Sequence, residues 1–271
     1  MTKQEILDNK VWSYSSLSAY NQCHNLFKKA YVDQVPQADN AFAQWGRLCH
    51  GLFEQYYKGN ADEFDLARLY ENVYDKAVTI PFPSTYNLEL DEKYYEQGIE
   101  YFGTFADKFA DCKVLEVEKE ISFYIGSYKF IGYIDLLLKD PDGNIIIADH
   151  KSKSSFKSKK ERKQTFRQLY LYSVWVYAEY GRHPSKLVLN MFRANHEEEE
   201  IFLYESYSEA LEWARKTIER ICWDEEYIEK VVPYFCDNIC GARYTCPHSG
   251  DFESEVNFTP PKGGDVDYDA D

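Results

Sequence analysis

Two apolar segments of this 271-residue chain carry charged residues where a buried strand would be apolar. Asp135 lies within residues 130–138, and Asp149 and Lys151 lie within residues 144–151. The turn sequence Asp-Pro-Asp-Gly separates the segments, so we expect an antiparallel hairpin that brings the two carboxylates to about 5 Å at Cβ. Carboxylates that close repel each other unless a cation lies between them, and their oxygens are ligands that Mg²⁺ and Mn²⁺ prefer. The pattern therefore predicts a divalent-metal site.

Lys151 follows Asp149 by two residues, so strand alternation places both side chains on one face and His150 on the other. A compact cation at this position can orient water and offset the negative charge that develops on a phosphoryl oxygen. Together with a divalent metal, these groups suit the hydrolysis of a phosphodiester. The alternative is that the carboxylates face solvent at a hairpin edge, but the apolar residues around them favour strands buried on both faces.

The same residues resemble the PD-(D/E)xK nuclease signature, in its RecB-like branch. The similarity rests on several motifs whose order and rough spacing agree over residues 46–172. In chain order these motifs are Gly46-Arg47-Leu48-Cys49-His50 (G-x3-H), Gly132 with Asp135, Asp149-His150-Lys151, and Gln168-Leu169-Tyr170-Leu171-Tyr172 (Q-x3-Y).

The resemblance implies a role for each matching residue. The implied metal ligands are His50, Asp135, Asp149 and the backbone carbonyl of His150. Lys151 is implied to be catalytic, and Gln168 and Tyr172, one helical turn apart, are implied to orient Lys151 or the substrate phosphate. Either Glu118 or Glu120, on the strand before the hairpin, could be the further acid that the family often carries there. A histidine on an apolar helix could instead be a hydrogen-bonded core residue; position within the motif series favours the ligand interpretation.

Three of the seven cysteines form the pattern Cys236-x3-Cys240-x5-Cys246. An odd number of cysteines argues against a disulfide framework, and thiolates at such spacing usually bind metal. The spacing allows a zinc site, for which His248 could be the fourth ligand, or an iron-sulfur cluster. The segment that ends at Cys23 resembles that of iron-sulfur nucleases, among them AddB-type helicase-nuclease subunits and CRISPR-associated adaptation nucleases. This resemblance implies a 4Fe-4S cluster on Cys23, Cys236, Cys240 and Cys246.

The formal net charge of −15 is unfavourable for a protein that binds phosphates. Residues 151–167 are an exception, since they contain eight basic residues and one acidic residue, Glu161, for a local charge of +7. We expect this basic strip to contact a nucleic-acid backbone, the alternative being a solvated flexible loop. Its DNA-binding candidates beyond Lys151 are Lys153, Lys157, Lys159, Lys160, Arg162, Lys163 and Arg167.

The order of predicted elements is typical of an α/β fold. Helices are predicted over 15–33, 41–57, 160–180 and 208–229, with further helical segments across 63–110, and strands over 115–124, 130–138, 145–151, 187–192 and 200–204. The resemblance implies a restriction-endonuclease-like core, with a central mixed β-sheet flanked by helices, a helical N-terminal region and a Cys-rich C-terminal segment. Residues 1–258 are expected to form a single domain whose ends the cluster joins, and 259–271 a disordered acidic tail.

These features predict a divalent-metal-dependent deoxyribonuclease, with exonuclease activity preferred over endonuclease activity, in DNA recombination, repair or end processing. A phage-encoded enzyme fits this setting. Alternatives are a CRISPR spacer-acquisition nuclease, a non-catalytic DNA-binding scaffold that retains the fold, and a zinc-binding interaction module. Because no Walker A sequence is present, unwinding would come from a partner such as a helicase, and a recombinase or single-strand annealing protein is a further expected partner. With no membrane span or leader, we expect a cytoplasmic protein.

Overall fold

The computed structural model describes residues 2–84 and 89–248. Its helices are α1 (Lys3–Asp8), α2 (Tyr14–Gln22), α3 (His24–Phe27), α4 (Ala41–Tyr57), α5 (Leu66–Ala77), α6 (Leu90–Gly103), α7 (Lys159–Tyr180), α8 (Tyr204–Trp223) and α9 (Pro233–Asn238). Its strands are β1 (Lys113–Ile125), β2 (Tyr128–Lys139), β3 (Ile145–His150), β4 (Lys186–Met191) and β5 (His196–Ile201).

The five strands form one mixed sheet in the order β1-β2-β3-β4-β5. The pairs β1–β2, β2–β3 and β4–β5 are antiparallel, whereas β3 and β4 are parallel and are connected through α7. The turn between β2 and β3 closes as its sequence predicts, with Gly143 at φ +86° and the Asp140 amide donating to Asn144 O at 2.9 Å. The α/β architecture with a helix-flanked mixed sheet is thus confirmed.

Of the three apolar cores among the described residues, two hold most of the helices around this sheet. The larger core packs α2, α7 and α8 against one face of the sheet, and its fully buried residues include Phe27, Phe130, Leu169 and Ile218. The second core joins α4, α5 and α6 with Phe192, which directly follows β4. The helix α4 begins and ends where the sequence predicts. Residues 46–50 lie within it and therefore form one continuous helical segment beside the sheet.

Three predicted elements are wrong in extent, one of them the helix predicted over 208–229, which runs instead from Tyr204 to Trp223. The helix predicted over 15–33 is interrupted at Cys23, whose backbone is extended (φ −161°, ψ 123°) and whose sulfur accepts a hydrogen bond from the distant Lys230 amide at 3.4 Å. The strand predicted over 200–204 begins earlier, at His196, and Tyr204 starts α8. Four consecutive glutamates have low strand propensity, but the register with β4 and the ion pairs of Arg162 with Glu198 and Glu200 override it.

The predicted acidic tail, 259–271, and the last residues of the predicted domain lie outside the described part of the chain. Among the described helices, none combines the length and the apolar character needed to cross a bilayer.

Candidate active site

Three carboxylates lie in a row across the first three strands. The register of β1 and β2 places Glu118 opposite Asp135, and the register of β2 and β3 places Asp149 on the other side of Asp135. Asp135 and Asp149 are buried, at 8% and 2% exposure. Buried carboxylates in adjacent positions repel one another strongly, so this row requires compensating positive charge.

His50 on α4 completes a set of possible metal ligands. Its Nδ1 lies 3.5 Å from Asp135 Oδ2 and 3.7 Å from Glu118 Oε1. Its Nε2 lies 2.9 Å from the His150 carbonyl, so the tautomer that donates there leaves the Nδ1 lone pair directed at the carboxylates. Within residues 2–84 and 89–248, these three side chains are the group whose ligand atoms all lie within 4.8 Å of one another.

This donor set fits a divalent cation. Ligand atoms that surround one Mg²⁺ at its usual bond lengths are about 3 to 4 Å apart, which is the separation seen here. Two carboxylates with one imidazole suit Mg²⁺ and Mn²⁺. Asp149 adds a further buried carboxylate beside this set, and its Oδ2 is paired with Lys151.

The pKa values report the same excess of negative charge. Burial and the charge of Asp149 raise the pKa of Asp135 to about 7. Burial lowers the pKa of His50, but Asp135, Glu118 and Asp149 outweigh it and raise the value to about 9. Without a bound cation the site therefore retains protons at neutral pH.

Lys151 lies within a chain of polar contacts. Its Nζ is 2.5 Å from Asp149 Oδ2 and donates to Gln168 Oε1 at 3.0 Å. Gln168 Nε2 donates in turn to the Tyr172 hydroxyl at 3.1 Å. Burial lowers the pKa of Lys151, but Asp149 and Asp135 outweigh it and keep the value above the ordinary range. A protonated lysine held in this way suits charge stabilisation and orientation of water rather than proton abstraction.

Gly132 allows Tyr172 to reach this chain of contacts. A Cβ on Gly132 would lie 2.4 Å from the Tyr172 ring, which is far inside van der Waals contact. Glycine therefore lets α7 approach β2 closely enough to support Gln168 and, through it, Lys151.

His150 contributes its backbone rather than its ring to the site. Its amide donates to Asp135 Oδ2 at 2.7 Å, and its carbonyl accepts from His50. The ring stacks on Phe53 with centroids 4.0 Å apart, and Asn190 Nδ2 lies 3.0 Å from its Nδ1. Complete burial lowers the pKa of the ring well below its usual value, so the imidazole is neutral.

The structure distinguishes Glu118 from Glu120, the two candidates for the further acid of the site. Glu118 faces His50, whereas Glu120 accepts a hydrogen bond from the exposed Tyr133 hydroxyl at 2.6 Å. Sequence reasoning also missed Tyr14, near enough to Lys151 and Asp149 for their charges to influence its pKa, which burial raises. No motif could have indicated it, because Tyr14 reaches the site through tertiary packing.

The basic strip is partly neutralised by acids of the same chain. Ion pairs join Lys153 to Glu161, Arg162 to Glu198 and Glu200, and Lys163 to Glu209. Lys157, Lys159 and Lys160 are exposed at the start of α7, and Arg167 lies over the Trp213 ring. The strip therefore offers fewer free cations than its sequence suggests.

The four cysteines of the predicted cluster line one small cavity between the N- and C-terminal parts of the described chain. All are free thiols, and their sulfurs accept hydrogen bonds from the amides of Lys230 and Val232, both at 3.4 Å, and from Asn25 Nδ2 at 3.6 Å. Sulfurs bound to one zinc at about 2.3 Å lie roughly 4 Å apart. Among the described cysteines no three sulfurs lie within 4.8 Å of one another.

The cysteine cavity adjoins the start of α4. The Ala38 amide donates to Gly241 O at 2.7 Å, and Asn40 Nδ2 donates to Ile239 O at 3.2 Å. Asn40 is also the N-cap of α4, through a hydrogen bond from the Ala43 amide. The helix that carries His50 is thus fixed at its first residue by the loop that carries Cys240.

A model of the PD-(D/E)XK nuclease superfamily matches residues 11–247. Among solved structures, one titled "Crystal structure of SSO0001" is 18% identical to the chain, covers 68% of this chain and 82% of its own, and has a TM-score of 0.33. No curated protein matches the chain.

Proposed function

Because the chain belongs to the PD-(D/E)XK nuclease superfamily, we propose that it is a metal-dependent DNA exonuclease of the RecB-like branch. Nucleases of this superfamily use divalent metals such as Mg²⁺ or Mn²⁺. The observation that carries the proposal is the meeting of His50, Glu118 and Asp135 beside the Lys151–Asp149 ion pair.

His50, Glu118 and Asp135 would hold the cation, with Asp149 and the His150 carbonyl as further ligands. A divalent cation there would supply Lewis-acid stabilisation of charge on the phosphoryl oxygens and make water easier to deprotonate.

The remaining residues of the site act on water and on the phosphate. The Lys151 ammonium orients the attacking water and offsets charge that develops during cleavage. Gln168 fixes the position of Lys151 Nζ, and Tyr172 fixes Gln168. We assign the role of the further acid to Glu118. Glu120, the other candidate from the sequence, has no part in the proposed chemistry.

Exonuclease action is proposed on the resemblance of the G-x3-H and Q-x3-Y motifs to those of the RecB-like branch. The setting that we propose is DNA recombination, repair or end processing, including spacer acquisition or phage recombination. A helicase, a recombinase or a single-strand annealing protein would act with the enzyme. The intact row of carboxylates with Lys151 disfavours a non-catalytic scaffold.

We further propose that Cys23, Cys236, Cys240 and Cys246 hold a 4Fe-4S cluster. Support comes from the four cysteines that line one cavity and from the N–H groups directed at three of their sulfurs. The cluster would join the α2–α3 junction to the C-terminal loop and would serve a structural role.

The test of exonuclease action compares end-labelled linear DNA with closed circular DNA of the same sequence. Each is incubated with Mn²⁺, Mg²⁺ or EDTA. We expect metal-dependent loss of the linear DNA and survival of the circle. Cleaved circles would make the protein an endonuclease, and survival of both substrates with either metal would reject the nuclease function.

A further inference from the structure

An arginine and two aromatic residues lie beside the lysine site and have no part in the chemistry above. Arg167 directly precedes Gln168 in α7, and its guanidinium carbon lies 4.3 Å from the centre of the Trp213 ring in α8. The Tyr14 ring of α2 lies 6.0 Å from the Trp213 ring, and its hydroxyl donates to Gln164 O at 2.7 Å. We call Tyr14, Arg167 and Trp213 the stacking cluster.

Arg167 differs in its charge environment from several neighbours in the basic strip. Lys153, Arg162 and Lys163 each contact a glutamate, whereas no ion pair within the described ranges neutralises Arg167. The acid whose charge influences it, Glu209, is already bound to Lys163. A half-buried guanidinium without a carboxylate partner is a site for an external anion, and its planar donors match a phosphate.

The stacking cluster is continuous with the catalytic lysine. Within little more than one turn of α7, Gln164 accepts from Tyr14, Arg167 covers Trp213, and Gln168 accepts from Lys151 Nζ. Trp213 is only partly buried, and it lines an open groove on α8. An aromatic ring, a guanidinium that no described carboxylate pairs with and an open groove therefore lie beside Gln168, the residue that contacts Lys151.

We propose that the stacking cluster is a subsite for the nucleotide adjacent to the cleaved phosphate, with Arg167 binding that nucleotide's phosphate and Trp213 stacking on its base. Bases of any identity stack on an aromatic face, whereas a base inside a duplex has both faces covered. The subsite thus takes an unpaired nucleotide. This inference rests on the proposed nuclease function and specifies the form of DNA at its site.

The test measures binding by fluorescence anisotropy in EDTA, with a labelled single-stranded oligonucleotide and a blunt duplex of the same sequence. Trp213→Leu should weaken binding of the single strand by about 5- to 100-fold and leave the duplex unchanged, because one stacked base is lost. Trp213→Phe should retain most of the affinity. The control is Phe64→Leu, since Phe64 is 85% exposed and lies between α4 and α5, outside the groove that Trp213 lines. This variant should bind both DNAs normally.

Arg167→Ala provides a second variant that does not depend on replacing a packed ring. It should weaken single-strand binding. The slope of log affinity against log salt should become shallower by about 0.7, the contribution of one phosphate contact on single-stranded DNA. An unchanged single-strand affinity in both Trp213→Leu and Arg167→Ala would overturn the subsite. So would equal losses on single-stranded and duplex DNA in Trp213→Leu, or an equal loss in Phe64→Leu.

Failure of the subsite is distinguishable from failure of the nuclease function. If the wild type cleaves DNA with Mn²⁺ but Trp213→Leu binds single strands normally, only the subsite proposal is wrong. If the wild type binds single strands through Trp213 but cleaves no DNA, the proposed nuclease function is wrong and the single-strand binding site at Trp213 stands.

Discussion

Glu118 lies directly opposite Asp135 across the β1–β2 pair, and its backbone is in the left-handed region at φ +47°. A non-glycine residue in this conformation costs on the order of 1 kcal/mol or more. The two carboxylates and His50 are thus brought together by a strand that is locally strained at the residue that faces the site. Such strain at one position, next to repelling charges, is expected where function rather than stability determines the geometry.

Glu118→Gln should weaken Mn²⁺ binding by at least about 10-fold, because one carboxylate ligand is lost. Isothermal titration of Mn²⁺ into the purified protein measures this directly. Glu120→Gln is the matched control on the same strand, and it should bind Mn²⁺ like the wild type, since Glu120 is engaged by Tyr133. Equal affinities in the two variants would remove Glu118 from the site.

Gly132→Ala should displace Tyr172 and destabilise the protein by about 1 to 3 kcal/mol, because the added methyl group would overlap the ring. Thermal unfolding followed by circular dichroism should show a melting temperature several degrees lower. Cleavage should fall as well, since Tyr172 supports Gln168 and Lys151. Gly103→Ala is the control, because a Cβ there meets no atom within 4 Å. A Gly132→Ala protein as stable as Gly103→Ala would contradict this packing.

Cys240→Ala should remove iron and acid-labile sulfide from anaerobically purified protein and lower its melting temperature, since metal binding contributes to folding. Elemental analysis and a sulfide assay on the same sample give the result. Cys112→Ala should retain both, as Cys112 lies among apolar residues away from the cysteine cavity. Stoichiometric zinc without sulfide in the wild type would replace the cluster with a zinc site.

Loss of the proposed cluster should also weaken Mn²⁺ binding at the candidate site. The loop that carries Cys240 holds Ala38 and Asn40 at the start of α4, and α4 carries His50. We expect the Mn²⁺ affinity of Cys240→Ala to fall while the protein remains folded at low temperature. Wild-type Mn²⁺ affinity in a cluster-free protein would show that α4 is positioned independently of the cysteines.

Much of the fold could be predicted because strong local patterns coincide with it. The hairpin between β2 and β3 has its own turn sequence, and α4 and α7 match their predicted ranges to within one residue. The start of β5 could not be predicted, because β4 pairing and Arg162 determine it rather than the propensity of its glutamates. The break at Cys23 has no local turn sequence, and the cysteine there contacts Lys230, more than 200 residues away in the chain.

The candidate site was predictable to the extent that its residues lie in short motifs. Strand alternation places Asp149 and Lys151 on one face, and the hairpin turn brings Asp135 beside Asp149. The choice of Glu118 over Glu120 required the register of β1 against β2, and the position of Tyr14 required the packing of α2 on α7. The internal ion pairs of the basic strip also needed the fold, since Arg162 contacts acids on β5.

The most direct measurement is cleavage of labelled linear DNA by the wild type, Lys151→Ala and Lys153→Ala, each with Mn²⁺ or with EDTA. Lys153 is the matched control, because its ammonium is bound to Glu161 rather than to the carboxylate row. We expect the wild type and Lys153→Ala to degrade DNA only with Mn²⁺, and Lys151→Ala to be slower by about 10² to 10³. Cleavage by Lys151→Ala at the wild-type rate, or cleavage by the wild type in EDTA, would contradict a metal-dependent nuclease centred on these residues.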